Sequence, residues 1–244
     1  MFCGMLEVNP RAGQLDSYFG MAKALRPELE KIDGFVDNER YTSLTRAGWL
    51  LSLSSWRDEK ALVRWSIEGH HHKVMQAARD RVFADYRMHI GEFVSDTRVP
   101  TGQTLEQQRL DVTEVGTGKA ITLLDGTREP DWMKQARADA VAESLGFDPE
   151  TSGVVEWDVF ESVATPGNAI ALVKWDGPSA ADAFARSATL PESVRLRTIR
   201  VVRDYGMFDR REAPQYFAEA HANGAGAASP HVGQEESIGT HSAR

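Results

Sequence analysis

Trp49-Leu50-Leu51-Ser52-Leu53-Ser54-Ser55-Trp56 reads as a β-strand that ends in tryptophan. Asn168-Ala169-Ile170-Ala171-Leu172-Val173-Lys174-Trp175 reads the same way, 119 residues further on. The same offset carries Asp85-Tyr86-Arg87-Met88 onto Asp204-Tyr205-Gly206-Met207. Two ungapped matches in one register, thirty residues apart in each half, mark an internal repeat. A solenoid needs at least three stacked units, so two copies are read as two copies of one small domain. The length, 244 residues, agrees, since a domain takes roughly 100–200 residues.

Outward from the tryptophan strand, the first copy begins with a short apolar strand, Met5–Val8. Gly13 precedes an amphipathic stretch with Leu15, Tyr18, Phe19, Ala22, Leu25, Leu29 and Ile32 at helical spacing. Pro27 lies inside it and predicts a kink or break, and Gly34 ends it. Phe35–Ser43 and Leu50–Trp56 follow as strands, and Asp58 is placed to cap a helix running to about Arg79. Val82–Val94 closes the unit as a long strand with Tyr86, Met88 and Ile90 on one face. The order is β-α-β-β-α-β, the ferredoxin-like split arrangement.

The second copy repeats this more loosely. Ile121–Leu124, Gly153–Val163, Ala169–Trp175 and Val194–Met207 are its strands, and Pro130 and Pro178 each stand where a helix begins. The expected organisation is residues 1–94, a polar linker over 95–119, a divergent second unit over 120–217, and a tail over 218–244 with too few large apolar residues to pack.

Composition bounds the function. Hydrophobic residues make up 41% and charged residues 26%, a globular balance. The formal charge of −8 and the lack of a Lys/Arg stripe argue against a nucleic-acid partner, which needs clustered cations. No apolar run reaches the roughly 18–20 residues of a membrane span, and no basic-then-apolar leader is visible, so a cytoplasmic location is expected. One cysteine, Cys3, excludes an internal disulfide and any multi-thiolate metal site. Nucleotide-binding glycine motifs and the nucleophile elbow Gly-x-Ser-x-Gly are absent.

The first half resembles a known family. Ala24-Leu25-Arg26-Pro27-Glu28-Leu29, then Gly34-Phe35 with Glu39-Arg40, are similar to the antibiotic biosynthesis monooxygenase family. So are Trp56-Arg57-Asp58-Glu59-Lys60-Ala61, Trp65, His72, Gln76, Arg79 and Phe83-Ala84-Asp85-Tyr86-Arg87. The resemblance spans roughly residues 4–94, and the second half keeps the pattern while losing most of these residues. It implies a dimeric α+β barrel, in which two ferredoxin-like units pair their sheets. With two units in one chain, the expectation is a tandem pseudo-dimer; whether copies of the chain pair again stays open. Some members of the family oxidise polycyclic phenols to quinones without metal or flavin, and others degrade haem, so kinship alone does not decide the reaction.

Candidate residues follow from the resemblance and the spacing. Trp65 and His72 lie seven apart, two helical turns, and so share one face. His72 is then the candidate base for a phenol, and Trp65 a surface for a flat aromatic substrate. The alternative keeps Trp65 in the core and spends His72 on a backbone carbonyl. Arg79 or Arg40 would orient a polar substituent, with Phe35 and Asn9 as further substrate contacts; Arg40, Arg79 and Arg87 are equally explained as partners of surface acids. His70-His71-His72 cannot converge on one metal ion, because consecutive helical residues point about 100° apart. Haem held by His71 or His72 is the alternative cofactor reading, with no cofactor as the first expectation. Haem-degrading relatives place a histidine further along the second helix, where this chain has Val74 and Met75. Trp56, Trp175, Tyr86 and Tyr205 recur in both copies and are expected to be structural.

Overall fold

A computed structural model describes residues 1–213 except positions 112 and 117. The expected tail over 218–244 therefore lies outside the described residues. The first unit comprises β1 (Phe2–Pro10), α1 (Leu15–Leu29), β2 (Phe35–Ser43), β3 (Leu50–Trp56), α2 (Glu59–Ser66), α3 (Gly69–Arg81) and β4 (Phe83–Asp96). The second comprises β5 (Ala120–Thr127), α4 (Pro130–Met133), α5 (Ala138–Ser144), β6 (Val154–Ser162), β7 (Asn168–Trp175), α6 (Pro178–Ser187) and β8 (Arg195–Gly206). The tandem βαββαβ order is thus the one the repeat predicts.

The eight strands close into one barrel in the order β1-β3-β2-β6-β7-β5-β8-β4. Two antiparallel seams join the units: a short one from Tyr41↔Ser162 to Ser43↔Phe160, and a long one from Arg87↔Gly206 to Asp96↔Arg197. Closure removes every free sheet edge, so one chain completes the barrel.

Side-chain alternation sorts each strand between the interior and the helix-covered face. Cys3, Met5, Leu51, Leu53, Phe93, Leu123, Leu172 and Ile199 fill the barrel with residues of both units. The opposite faces carry Trp56 under α2 and Trp175 under α6, both fully buried. One end of the interior is charged: Arg46 pairs with the buried Glu7 and Asp158, Lys174 lies 2.7 Å from Glu7, and Arg87 pairs with Asp204 across the long seam.

Helix termini show where local signals act. Asp58 accepts from Ala61 N at 2.8 Å, the expected cap. α1 buries Tyr18, Ala22, Leu25 and Leu29 and stops two residues after Pro27. The helix expected from Asp58 to Arg79 is broken at Ile67–Glu68, because the Glu68 carboxylate accepts from His71 N at 2.7 Å and starts a new helix. Trp65 and His72 therefore sit on different helices, which corrects the reading of one shared helical face. The linker is an ordered strap where it is described: the Met1 ammonium donates to Thr104 O, and Arg109 pairs with Glu59 at 2.5 Å.

Candidate active site

A cavity of about 180 Å³ lies between the outer face of the first unit's sheet and its three helices. Its floor is built from alternate residues of four strands: Gly4 and Leu6, Asn38 and Arg40, Ser52, Ser54 and Trp56, and Tyr86 and Met88. The walls are Tyr18, Met21, Ala22, Leu25 and Leu29 of α1, and Leu62, Trp65, His71, His72 and Met75 of α2 and α3. Tyr205 and Arg210 of the second unit complete it, so a residue expected to be purely structural also faces the site. Gly4 keeps the floor open: a Cβ there would stand 3.1 Å from both Met88 Cε and Ser54 Oγ.

The helix break places a histidine against the tryptophan. The His71 ring stacks on Trp65 with 4.1 Å between centroids and 23° between planes. Its Nδ1 lies 3.0 Å from Trp65 O. A carbonyl only accepts, so Nδ1 carries the proton and Nε2 is left as an acceptor. Burial lowers the His71 pKa to about 4, so the ring is neutral near pH 7. His72, the next residue, lines the same cavity, while His70 turns away to Glu28 Oε2 at 2.7 Å.

The floor is polar along β2 and β3. Asn38 Nδ2 donates to Ser52 Oγ and Leu53 O, at 3.1 and 3.0 Å. Burial raises the Tyr18 phenol above its ordinary range, against the opposing pull of Arg40. Two atoms sealed from solvent here have no hydrogen-bond partner, Asn38 Oδ1 and Arg40 Nε. On β4, Tyr86 Oη accepts from Arg79 Nη1 and, at 2.8 Å, from Arg210 Nη1.

The structure thus brings together Trp65, His71, His72 and Arg40 of the sequence candidates. Arg79 is buried and meets the cavity-lining Tyr86 through its hydroxyl, with the guanidinium 5.6 Å from the ring centroid. Phe35 packs edge-on against Trp56 at 5.5 Å, and Asn9 sits where β1 bulges opposite Asp85; neither lines the cavity. Arg87 is a seam residue rather than a surface one. Sequence reasoning missed Asn38, Ser52, Ser54 and Tyr18, although strand alternation places Asn38, Ser52 and Ser54 on the Arg40 side.

Cys3 lies in the barrel interior, and burial pushes its thiol up to about 12, so it is no nucleophile. Among the described residues, no three His, Cys, Asp or Glu side chains stand together as a metal site. A haem ligand would have to come from His71 Nε2 or from His72 on this wall, the His71 ring being held against Trp65 through its Nδ1.

In the second unit the same layer is solid. The offset of 119 turns Asn38, Arg40, Ser52 and Ser54 into Trp157, Val159, Ala171 and Val173, which pack with Phe147 and Leu145.

The fold is a one-chain α+β barrel with a cavity on the outer sheet face of its first unit. No family model matches the chain. It is 41% identical over 227 residues to the "Jasmonate monooxygenase ABM" of Pyricularia oryzae, a match covering 90% of this chain and all of that protein. The chain belongs to the antibiotic biosynthesis monooxygenase family. Among solved structures, an aldoxime dehydratase crystallised with butyraldoxime aligns at a TM-score of 0.50 and 12% identity, over 83% of this chain and 79% of that one. That likeness shows the fold alone. An antibiotic biosynthesis monooxygenase structure aligns at 0.35 and 12% identity, over 39% of this chain and all of that one. No helix among the described residues is long and apolar enough to cross a membrane.

Proposed function

We propose that the chain is an oxygenase acting on a small, largely apolar molecule bound in the cavity of the first unit, with a flat face against the Trp65 layer. The observation that carries this is the Trp65–His71 pair: a neutral imidazole, fixed in one tautomer, on the wall of a largely apolar cavity with a polar floor along β2 and β3. His71 suits the role of a hydrogen-bond acceptor that positions the substrate, since a group with a pKa of about 4 holds a proton poorly. The proton itself goes to His72 on the same wall. The resulting electron-rich anion reduces dioxygen directly. A methylene becomes a carbonyl while one oxygen atom enters the product and the other leaves as water. The substrate supplies all the electrons, so the step balances without a further reductant. The apolar part of the wall, Leu25, Leu29, Leu62 and Met75, limits the water that reaches the anion.

The relative in Pyricularia oryzae is named for jasmonate, and the family resemblance implies polycyclic phenols. Jasmonate and an anthrone are therefore the first substrates to try. Dioxygen uptake is expected with at least one, and His72→Ala should lower it by about 10²–10⁴-fold, the ordinary contribution of a general base. No uptake with either, or uptake unchanged in His72→Ala, overturns the proposal.

A further inference from the structure

The cavity floor contains a cation with no acidic partner among the described residues. Arg46 pairs with Glu7 and Asp158, Arg87 with Asp204, Arg195 with Asp96, Arg197 with Asp125 and Arg200 with Glu92. Arg40, half-buried on the polar floor of the cavity, forms no ion pair among the described residues; the Tyr18 phenol it meets there is neutral, and the Arg40 Nε is sealed from solvent without an acceptor. The acid beside it on the strand is spent elsewhere: Glu39 accepts from Tyr41 Oη at 3.2 Å and Ser162 Oγ at 2.5 Å. A half-buried charge without a counter-charge costs stability unless something else supplies one.

The internal repeat provides the control. At the position 119 residues on, the second unit has Val159, fully buried in a close-packed layer. The same strand in the same fold thus dispenses with the cation where apolar side chains pack the layer. Arg40 belongs to the cavity, not to the barrel.

We propose that Arg40 is the seat for the anionic group of the ligand, so that the ligand of this cavity is an apolar monoanion such as a carboxylate. This rests on the reading of the cavity as the substrate site. Arg40 can offer Nε–H and a terminal N–H as a fork to the two carboxylate oxygens. The apolar body then runs over Gly4, Leu6 and Met88 towards the Trp65 wall. Asn38 Oδ1, an acceptor two residues along the strand, confines the anion to the Arg40 side and takes an O–H or a water.

The test measures binding apart from turnover, on the full chain, with octanoate and its methyl ester as probes. Octanoate should bind at least tenfold more tightly than methyl octanoate, and Arg40→Leu should abolish that preference while leaving ester binding unchanged. Arg40→Leu should melt at or above the wild-type temperature, because it removes an unpaired charge; a structural arginine would lower it. Arg40→Gln, which keeps a polar side chain, provides the same comparison should the leucine variant fold poorly. Equal binding of acid and ester by the wild type, or an octanoate affinity indifferent to Arg40, overturns the proposal. The two readings separate cleanly. Arg40-dependent octanoate binding without dioxygen uptake on any substrate keeps the seat and removes the oxygenase. Uptake that octanoate does not inhibit and Arg40 does not affect keeps the oxygenase and removes the seat.

Discussion

Protonating His71 should destabilise the fold within a defined pH window. Burial against Trp65 lowers its pKa from 6.5 to about 4, while the unfolded chain takes up the proton near 6.5. Below pH 6.5 the unfolded state therefore binds more protons than the folded one, and stability falls as pH drops towards 4; above 6.5 this group contributes no slope. The shift corresponds to about 3 kcal/mol once the window is crossed, at about 1.4 kcal/mol per unit. The facing charges are Glu68, which favours the protonated ring, and His70 and His72, which oppose it. The assay is urea unfolding of the wild type and His71→Gln at pH 7.5 and 4.5. Carboxylates titrate alike in both proteins and cancel in the difference. The wild type should lose about 2–3 kcal/mol more than the variant, a midpoint shift of roughly 1 M at the usual urea slopes. Parallel losses in the two proteins would refute the neutral, buried His71 on which the site description depends.

Asp58→Ala removes the α2 cap and should cost about 1 kcal/mol in thermal or urea unfolding, whereas Asp58→Ser should restore most of it. Arg46→Ala leaves Glu7 and Asp158 short of a partner at the charged end of the barrel and should cost about 3 kcal/mol or more by urea unfolding; a loss under 1 kcal/mol would mean that Lys174 alone compensates Glu7.

The barrel was legible because its signal is redundant. Trp56 and Trp175 occupy equivalent buried places, and the offset of 119 follows from strands whose register a closed barrel cannot shift. The helix break was not read, because Ser66-Ile67-Glu68-Gly69 has no proline and a helical pattern continues through it; only the Glu68 carboxylate turning back to His71 N ends one helix and starts the next. That one cap changed which histidine meets Trp65. Arg40 was visible as a candidate from the family pattern. Its lack of a counter-charge is a property of packing, since the strands carry acids near it in sequence that face the other way. Phe35 and Asn9 were named from motif position, and the bulges beside them at the strand ends turn that position away from the cavity.

The central claim, that oxygen chemistry takes place in the first-unit cavity, is tested most directly by turnover under ¹⁸O₂ with the wild type and Gly4→Leu. The glycine lies in the cavity floor, where even a Cβ meets Met88 and Ser54 at 3.1 Å, so the leucine occupies the space of the ligand. One ¹⁸O atom in the wild-type product, with turnover lost in a Gly4→Leu protein that retains its fold by circular dichroism, is the predicted result. An unlabelled product, or equal turnover by the folded variant, would contradict it.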